Sequence, residues 1–497
     1  MEFSPELSQS IASKIKDLQQ TAAFSQLSLS DEQTGQLQRL FLCSDFAMNT
    51  CQRFPEYAAG LASTDIADAE KQLVAYVGEL SEIFTAIESD ADAATKIRNY
   101  RNCEMLRIVW RDAVLNAPVT ETLHELSFLA DACITVGMRY IYEQAIEKHG
   151  EPLDKAGNRI YPVVFAMGKL GAYELNFSSD IDLIFTYAED GEIVGERKSM
   201  TYNEFFTRVC QGFIKLLSEN SAWGFVFRVD ARLRPFGDSG RLAISFDAME
   251  IYYEQHGREW ERYAFIKARA ISEDEQAARE IADRLRPFVF RRYLDFSAFA
   301  SLREMKRLID QEQKRKGYEG NVKLGPGGIR EIEFIGQAYQ LIRGGRDKRL
   351  QARGILQVLQ ILHEQKLLPD YVYEALKAAY LFLRKTENAI QYFADKQTHM
   401  LPTDSQMQQR LAFALNFQNW DALKLQLQDT MQTVHEHFEQ IFSAPQLEAF
   451  DSASGENEFN ALWLGTLSDD DAMELLYNHG FHDAKEALRR ITTFRNG

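Results

Sequence analysis

The sequence predicts an α+β protein that is mostly α-helical, with a small mixed β-sheet inserted between helical domains. Apolar residues recur at three- and four-residue spacing over roughly the first 150 residues and again in the second half of the chain, as in amphipathic helices. The period changes between these regions. Val163–Ala166 and Ile181–Tyr187 are short apolar runs, and residues 225–233 carry an apolar residue at every second position, which is typical of strands.

The helical and strand patterns divide the chain into four expected segments. They are an N-terminal helical domain at 1–150, a catalytic core at 151–270, a C-terminal helical domain at 271–450, and a linker with the start of a further helical segment at 451–497. The polar stretch 451–458 marks the last boundary. Because the final residues, RRITTFRNG, form no clear helix cap, we expect the chain to be a fragment of a longer protein.

Composition narrows the class of protein. The chain has 497 residues and a net charge of −17, which disfavours nucleic acid as a partner because most of the surface repels a phosphate backbone. Five cysteines without a C-x-x-C pair suggest reduced thiols and a cytoplasmic location. No apolar run is long enough to cross a bilayer, so we expect neither export nor membrane insertion.

The segment GKLGAYELNFSSDIDLIF carries the strongest chemical signal. Asp180 and Asp182 open a strand directly after a glycine-containing turn, and residues two apart on a strand point to the same side. Two carboxylates on one side can hold a hard divalent cation, for which Mg²⁺ is the natural candidate. Taken alone, a D-x-D pattern is more often a strand-end acid paired with an arginine.

A third acid makes the metal interpretation stronger. Strand parity over residues 225–233 predicts one apolar face and one charged face that carries Arg228, Asp230, Arg232 and Arg234. If this strand pairs beside the first, three carboxylates can hold two metal ions for a phosphoryl or nucleotidyl transfer, and Arg232 and Arg234 can contact anions. The turn, the third acid and the arginines together favour a catalytic site.

Four segments resemble one known family, the bifunctional glutamine synthetase adenylyltransferase and adenylyl-removing enzyme, within the DNA polymerase β nucleotidyltransferase superfamily. They are AMGKLGAYELNFSSDIDLIF, FRVDARLRPFGDSG, EWERYAFIKARA and VKLGPGGIREIEFIGQAYQLIRGG. The resemblance extends from about Ser44 to the helices near Ala444. The superfamily commonly has Gly-Ser before its D-x-D, whereas this chain has Gly168-Lys169, a variant that is typical of the family.

The resemblance implies roles for individual residues. Asp180, Asp182 and Asp230 match the catalytic, metal-binding carboxylates, which implies Mg²⁺ as cofactor, as two ions. Gly168 and Lys169, with Ser179, match the turn that faces the nucleotide phosphates. The implied partners are glutamine synthetase as protein substrate, the PII signalling protein, phosphate and an adenine nucleotide.

A second glycine-rich segment, LGPGGIREIEF, is a further candidate for anion binding. Free N–H groups at the start of the helix that follows suit a phosphate or carboxylate, and Lys323 and Arg330 would reinforce the site. The alternative is a simple turn at the start of a helix, with Arg330 paired to an acid such as Glu333. Physical reasoning does not favour either the anion site or the simple turn. The resemblance favours a position of this segment near the active site. Lys267 and Arg269 are weaker candidates for phosphate contacts.

The chain contains one S-S-D-I-D motif, preceded by a long and mainly helical stretch, which matches the first of the family's two catalytic copies. We therefore expect removal of AMP from an adenylylated tyrosine of glutamine synthetase by phosphate, releasing ADP. One rival is the forward reaction, in which AMP from ATP is added to the synthetase. The other is a non-catalytic helical module that binds a regulator.

Overall fold

A computed structural model describes most of the chain. The described residues are 3–25, 27–63, 69–193, 199–291, 306–307, 311, 320–442, 462, 467–478, 481 and 483–496. The chain divides into two compact units, Met1–His435 and Glu436–Gly497. The polar stretch 451–458, which the sequence marks as a linker, lies outside the described residues. The four domain boundaries expected from the sequence stay predictions.

Helices account for most of the described chain, which confirms the expected mostly helical α+β class. Their bounds are α1 Pro5–Gln19, α2 Ala22–Ser25, α3 Asp31–Cys43, α4 Asp45–Arg53, α5 Pro55–Ser63, α6 Leu73–Thr85, α7 Asp90–Val109, α8 Val119–His149, α9 Gly168–Gly171, α10 Tyr202–Ser218, α11 Phe246–Gln255, α12 Glu259–Phe265, α13 Glu275–Val289, α14 Ile329–Arg343, α15 Ile355–Glu364, α16 Asp370–Tyr392, α17 Ser405–Ala414, α18 Trp420–Ile441, α19 Asp469–Asn478 and α20 Ala484–Asn496. No described helix is both long enough and apolar enough to cross a membrane.

Local sequence explains where several of these helices begin. Ser30 caps α3 and Thr201 caps α10, each in a reciprocal capping box with the residue three positions later. The α10 helix then buries Phe205, Phe206 and Phe213, so its apolar stripe covers one face of the sheet region. In the second unit, a small core is formed by four buried residues: Leu462, Ala472, Leu475 and Leu476.

The strands form a five-stranded mixed sheet and a separate two-stranded ribbon. Their bounds are β1 Val163–Ala166, β2 Ile181–Tyr187, β3 Glu192–Ile193, β4 Met200–Thr201, β5 Val229–Asp230, β6 Ala243–Ser245 and β7 Arg269–Ile271. Antiparallel β1 lies between β2 and β7, and the other edge of β2 pairs in parallel with both β5 and β6. The ribbon joins β3 and β4. Central β2 therefore receives strands along both edges, which makes it the best-fixed place in the sheet for a functional side chain.

The expected strand at residues 225–233 is mostly wrong. Only Val229–Asp230 pairs with β2, and the chain then turns away through a loop whose Phe236 has a left-handed φ of 62°. Val226 is fully buried, although parity assigned it to the polar face. Arg232 and Arg234 therefore lie in a loop and do not share a strand face with Asp230. Apolar alternation cannot reveal where pairing stops, because pairing depends on a partner strand elsewhere in the sheet.

Candidate active site

The register of β2 and β5 brings two of the predicted acids together. Asp182 on β2 is the direct partner of Asp230 on β5 in a parallel pair. Asp180 immediately precedes β2, where Ile181 donates its backbone N–H to the carbonyl of Arg228 at 2.9 Å. Three carboxylates expected from sequence thus come from adjacent segments at the same end of strands β2 and β5.

Arginines engage two of these three acids. Arg228 donates to Oδ1 of Asp180 at 2.9 Å, and Arg232 donates through Nε to both oxygens of Asp230 at 3.0 and 2.9 Å. Within the described residues, no group of three His, Cys, Asp or Glu side chains is arranged to hold a metal ion. The arginine–aspartate pairs explain this arrangement, because each guanidinium occupies carboxylate oxygens that a cation would need.

Asp182 is the acid that remains available. In the described part of the chain its carboxylate takes part in no ion pair or hydrogen bond. Burial and the neighbouring carboxylates of Asp230 and Asp180 raise the pKa of Asp182 to about 6. Mutual repulsion of this kind is relieved by a bound divalent cation, so the donor set fits a hard metal ion.

Two glycines shape the turn between β1 and β2, which lies beside Asp182. Gly168 has a left-handed φ of 54°, and a Cβ built there would lie 3.6 Å from Oδ2 of Asp182. At Gly171 a Cβ would lie 2.0 Å from the carbonyl oxygen of Lys267, so no other residue fits. Gly168 therefore permits the left-handed turn beside the acid, and Gly171 permits close contact with the segment before β7, as a phosphate-binding turn requires.

A cleft of about 490 Å³ opens at this turn. Its lining residues are Gly168, Lys169, Ser179, Asp180, Asp182, Tyr263, Ala264, Lys267, Lys323, Leu324, Arg330, Glu333, Gln337, Gln397 and His399. Seven of the ten site residues expected from sequence thus lie in one cavity. Asp230, Arg232 and Arg234 do not line it. Arg234 instead donates to the carbonyls of Ala231 and Gly240 within its own loop, at 2.8 and 3.2 Å.

The cationic wall of the cleft comes from the second glycine-rich segment. The side chain of Asn321 accepts the N–H groups of Lys323 and Leu324 at 3.0 and 2.8 Å, which fixes the turn before α14. Gly327, with a φ of 72°, lies against the backbone of Met431, where a Cβ would meet the carbonyl oxygen at 1.7 Å. Lys323 and Arg330 thereby line the same cleft as Asp180 and Asp182.

Glu333, which the sequence offered as a partner for Arg330, accepts a hydrogen bond from Lys267. The Lys267 ammonium lies 2.7 Å from Glu333 and 2.8 Å from Glu174, and it is almost fully buried. Arg269, the other weak candidate, pairs with Asp131 at 2.9 Å and does not line the cleft. Lys267 is therefore the candidate that the structure brings into the cavity.

Behind the cleft lies a buried ionic cluster that sequence reasoning did not find. Glu387 on α16 is fully buried and accepts from Lys169 at 2.9 and 3.0 Å, while His399 approaches its Oε1 at 2.8 Å and Arg384 its Oε2 at 3.4 Å. Burial lowers the pKa of Lys169, and Glu387 opposes that shift. The ammonium of Lys169 therefore points to Glu387, whereas sequence reasoning assigned it to the nucleotide phosphates.

The same helix also holds the loop that leads to the acids. Asn388 accepts from the side chain of Asn176 at 2.9 Å and from the N–H of Phe177 at 3.2 Å, and Gln391 accepts the N–H of Ser178 at 2.9 Å. Since these residues immediately precede Ser179, α16 sets the position of the strand that carries Asp182. The only sequence signal was a run of polar residues, R-K-T-E-N, inside an otherwise amphipathic helix.

Comparison with known proteins bears on this arrangement. A sequence profile described as Glutamate-ammonia ligase adenylyltransferase matches residues 34–284, and one described as GlnD PII-uridylyltransferase matches residues 303–442. Both matched ranges contribute residues to the cleft, since Asp180 and Asp182 belong to the first range while Lys323 and His399 belong to the second.

Bacterial relatives extend the match. The chain is 47% identical over 465 residues to a bifunctional glutamine synthetase adenylyltransferase/adenylyl-removing enzyme of Thioalkalivibrio sulfidiphilus, covering 93% of this chain and 48% of the relative. A protein of the same name from Nitrosococcus oceani is 44% identical, with 91% and 47% covered. The chain spans about half the length of these curated relatives. With half of its residues matched by the first profile and an acid-lined cleft inside that range, this chain belongs to the glutamate-ammonia ligase adenylyltransferase family.

Proposed function

We propose that this chain removes AMP from an adenylylated tyrosine of glutamine synthetase by metal-dependent phosphorolysis, releasing ADP and unmodified synthetase. One observation carries the proposal: Asp182, the register partner of Asp230 on parallel strands, lines a cleft that Lys323 and Arg330 also line. Acids and cations in one cleft suit a reaction between two phosphate groups. The names of the relatives supply the protein substrate and the AMP group.

Asp180, Asp182 and Asp230 would hold the metal, which we propose to be Mg²⁺, as two ions. A bound ion supplies neutralisation of the charge that develops on the phosphoryl oxygens in the transition state. The protein's own contribution is positional. β2 fixes Asp182, the glycine turn lets the AMP phosphate approach, and α16 holds the strand in register.

The cations of the cleft are assigned to the two phosphates. Lys323 and Arg330 would bind the incoming inorganic phosphate, since both line the cleft together with Asp180 and Asp182. Gly168 and Ser179 would face the AMP phosphate from the turn. Arg232 and Arg234 would approach an anion only after leaving their present partners, Asp230 and the loop carbonyls.

The wider setting is also proposed. We infer a cytoplasmic enzyme that forms the N-terminal catalytic part of a longer protein and is regulated by the PII signalling protein. The relatives' names include both an adenylyltransferase and an adenylyl-removing activity, and the second matched profile is described by a PII uridylyltransferase. The strongly acidic composition supports protein and small-molecule partners, with no role for nucleic acid or a membrane.

The direction of the reaction is tested in two separate incubations, one for removal of AMP and one for its addition. The chain is incubated with adenylylated glutamine synthetase, Mg²⁺ and phosphate, and separately with unmodified synthetase, Mg²⁺ and ATP. We expect ADP release in the first reaction and no new AMP adduct on the synthetase tyrosine peptide, measured by mass spectrometry, in the second.

Each rival has its own outcome in this experiment. An AMP adduct formed from ATP would assign the forward reaction to this chain. Failure of both reactions, together with no binding of Mg²⁺ and nucleotide, would support the non-catalytic module.

A further inference from the structure

His399 forms a hydrogen-bonded pair with Glu387 at the edge of the cleft. Its Nδ1 lies 2.8 Å from Oε1 of Glu387, and the side chain is only 17% exposed. A carboxylate accepts hydrogen bonds, so the proton of the imidazole stands on Nδ1 and the lone pair stands on Nε2. The residue lines the same cavity as Asp182, Lys323 and Arg330.

The surroundings keep this imidazole neutral. Burial lowers the pKa of His399, and the ammonium groups of Lys323 and Lys169 lower it further, while Glu387 opposes the shift. Two further groups lie near this histidine. Arg384 also pairs with Glu387, and the side-chain amide nitrogen of Gln391 lies 3.5 Å from Nδ1 of His399. A neutral imidazole beside Lys323 is poised to accept a proton from an anion that Lys323 binds.

We propose that His399 is a further catalytic residue, which accepts through Nε2 the proton of the phosphate that attacks the adenylylated tyrosine. This inference rests on the proposed function and deepens it. Glu387 acts as the positioning residue, because it fixes the tautomer and the ring orientation of His399 while remaining fully buried.

The step balances without any further reagent. An oxygen of HPO₄²⁻ forms a bond to the α-phosphorus, the bond from phosphorus to the tyrosine oxygen breaks, and its electron pair stays on that oxygen. The remaining proton of the incoming phosphate passes to Nε2 of His399. Water protonates the phenolate, and the hydroxide that results takes the proton back from the imidazolium.

The chain offers a matched control. His435 also approaches a buried carboxylate through Nδ1, at 3.1 Å from Glu331, yet it does not line the cleft. A general effect of removing a histidine–glutamate pair therefore appears in His435→Gln, whereas loss of proton transfer appears only in variants of His399.

The test is single-turnover ADP release from adenylylated glutamine synthetase by the full chain with Mg²⁺ and phosphate. We expect His399→Gln to lower the rate constant about 100-fold, with the KM for phosphate changed less than about threefold, and His435→Gln to stay within about twofold of the parent. We also expect imidazole in the buffer to restore the rate of His399→Ala about tenfold.

Three results would overturn the proposal. They are a His399→Gln rate within about threefold of the parent, a loss that imidazole does not restore, and an equal loss in His435→Gln. Melting curves of each variant show whether it is folded. A His399→Ala variant that does not fold, combined with a His399→Gln variant that releases ADP at the parent rate, would also count against the proposal. If the parent chain releases no ADP, the failure lies with the proposed function itself.

Discussion

The two sides of the cleft hold their charges in different ways. On the acidic side, the partners of Asp180 and Asp230 are arginines whose side chains are 33% and 73% exposed. On the α16 side, Glu387 is fully buried and serves Lys169, Arg384 and His399 together. Exposed ion pairs contribute little to stability and exchange their partners readily. Removing one partner from a buried carboxylate is strongly destabilising, because it leaves an uncompensated charge in the interior. The arginine partners on the acidic side can therefore be displaced, as the proposed cation would require, whereas the buried side keeps its arrangement.

The largest expected effect tests the acidic side. Converting both Asp180 and Asp182 to Asn keeps volume but removes two charges from the proposed cation site. We expect ADP release to fall at least about a thousandfold in single-turnover assays, while binding to adenylylated synthetase and helicity persist.

Asp238→Asn is the matched control, because Asp238 lies in the Asp230 loop with its side chain 78% exposed. It should leave the rate within about twofold of the parent. Near-normal release by the double variant would refute the metal mechanism, and loss of helicity would show that the two acids hold the fold.

The next effect tests the buried side. Glu387→Gln leaves Lys169 and Arg384 without their shared counter-charge, so we expect the free energy of unfolding to fall by about 3 kcal/mol or more. Denaturant titration measures it. The control is exposed Glu364→Gln, expected within about 0.5 kcal/mol of the parent. An equally small loss for Glu387→Gln would mean that the two sides of the cleft do not differ.

A smaller effect concerns pH. The folded-state pKa of Asp182, about 6, lies above the ordinary value of 3.8, so the folded state binds the extra proton and stability falls as pH rises from about 4 to 6. We expect Asp182→Asn to remove a loss of about 2 kcal/mol in chelator-containing buffer. Parallel stability curves of parent and variant across this window would contradict the raised pKa. Adding Mg²⁺ at pH 7 should stabilise the parent more than the variant.

The smallest effect on folding is expected for Asp230→Asn. Its arginine partner is largely exposed, so the free energy of unfolding should change by less than about 1 kcal/mol, while Mg²⁺ affinity measured by titration weakens. A loss of about 3 kcal/mol with unchanged metal affinity would make Asp230 a structural ion-pair partner.

Local pattern was enough to predict the strand that carries Asp182 and its antiparallel neighbour. The apolar runs at Val163–Ala166 and Ile181–Tyr187 are strands β1 and β2. Each pattern reflects which side chains of one short segment are buried, so the segment alone is enough to recognise it. The end of β5 after Asp230 was missed because pairing depends on a partner elsewhere in the sheet.

The buried side of the cleft could not be read from sequence. Lys169 and Glu387 are 218 residues apart, and one charged residue inside a helix looks like any solvated position. Asp180 and Asp182, which parity put on one side of a strand, both line the cleft, whereas the direction of the Lys169 side chain depended on which helix covers it. Tertiary partners of this kind have no local signature.

The hydrogen bonds between α16 and the loop of residues 176–178 have a consequence for synthesis of the protein. They join segments more than 200 residues apart, so the turn, the acids and His399 cannot take up their final arrangement when the sheet alone has left the ribosome. At about 5–20 residues per second, the wait for α16 lasts on the order of ten seconds or more. During that interval the nascent chain carries strands without a finished cleft, which delays activity until the second matched region has folded onto the first.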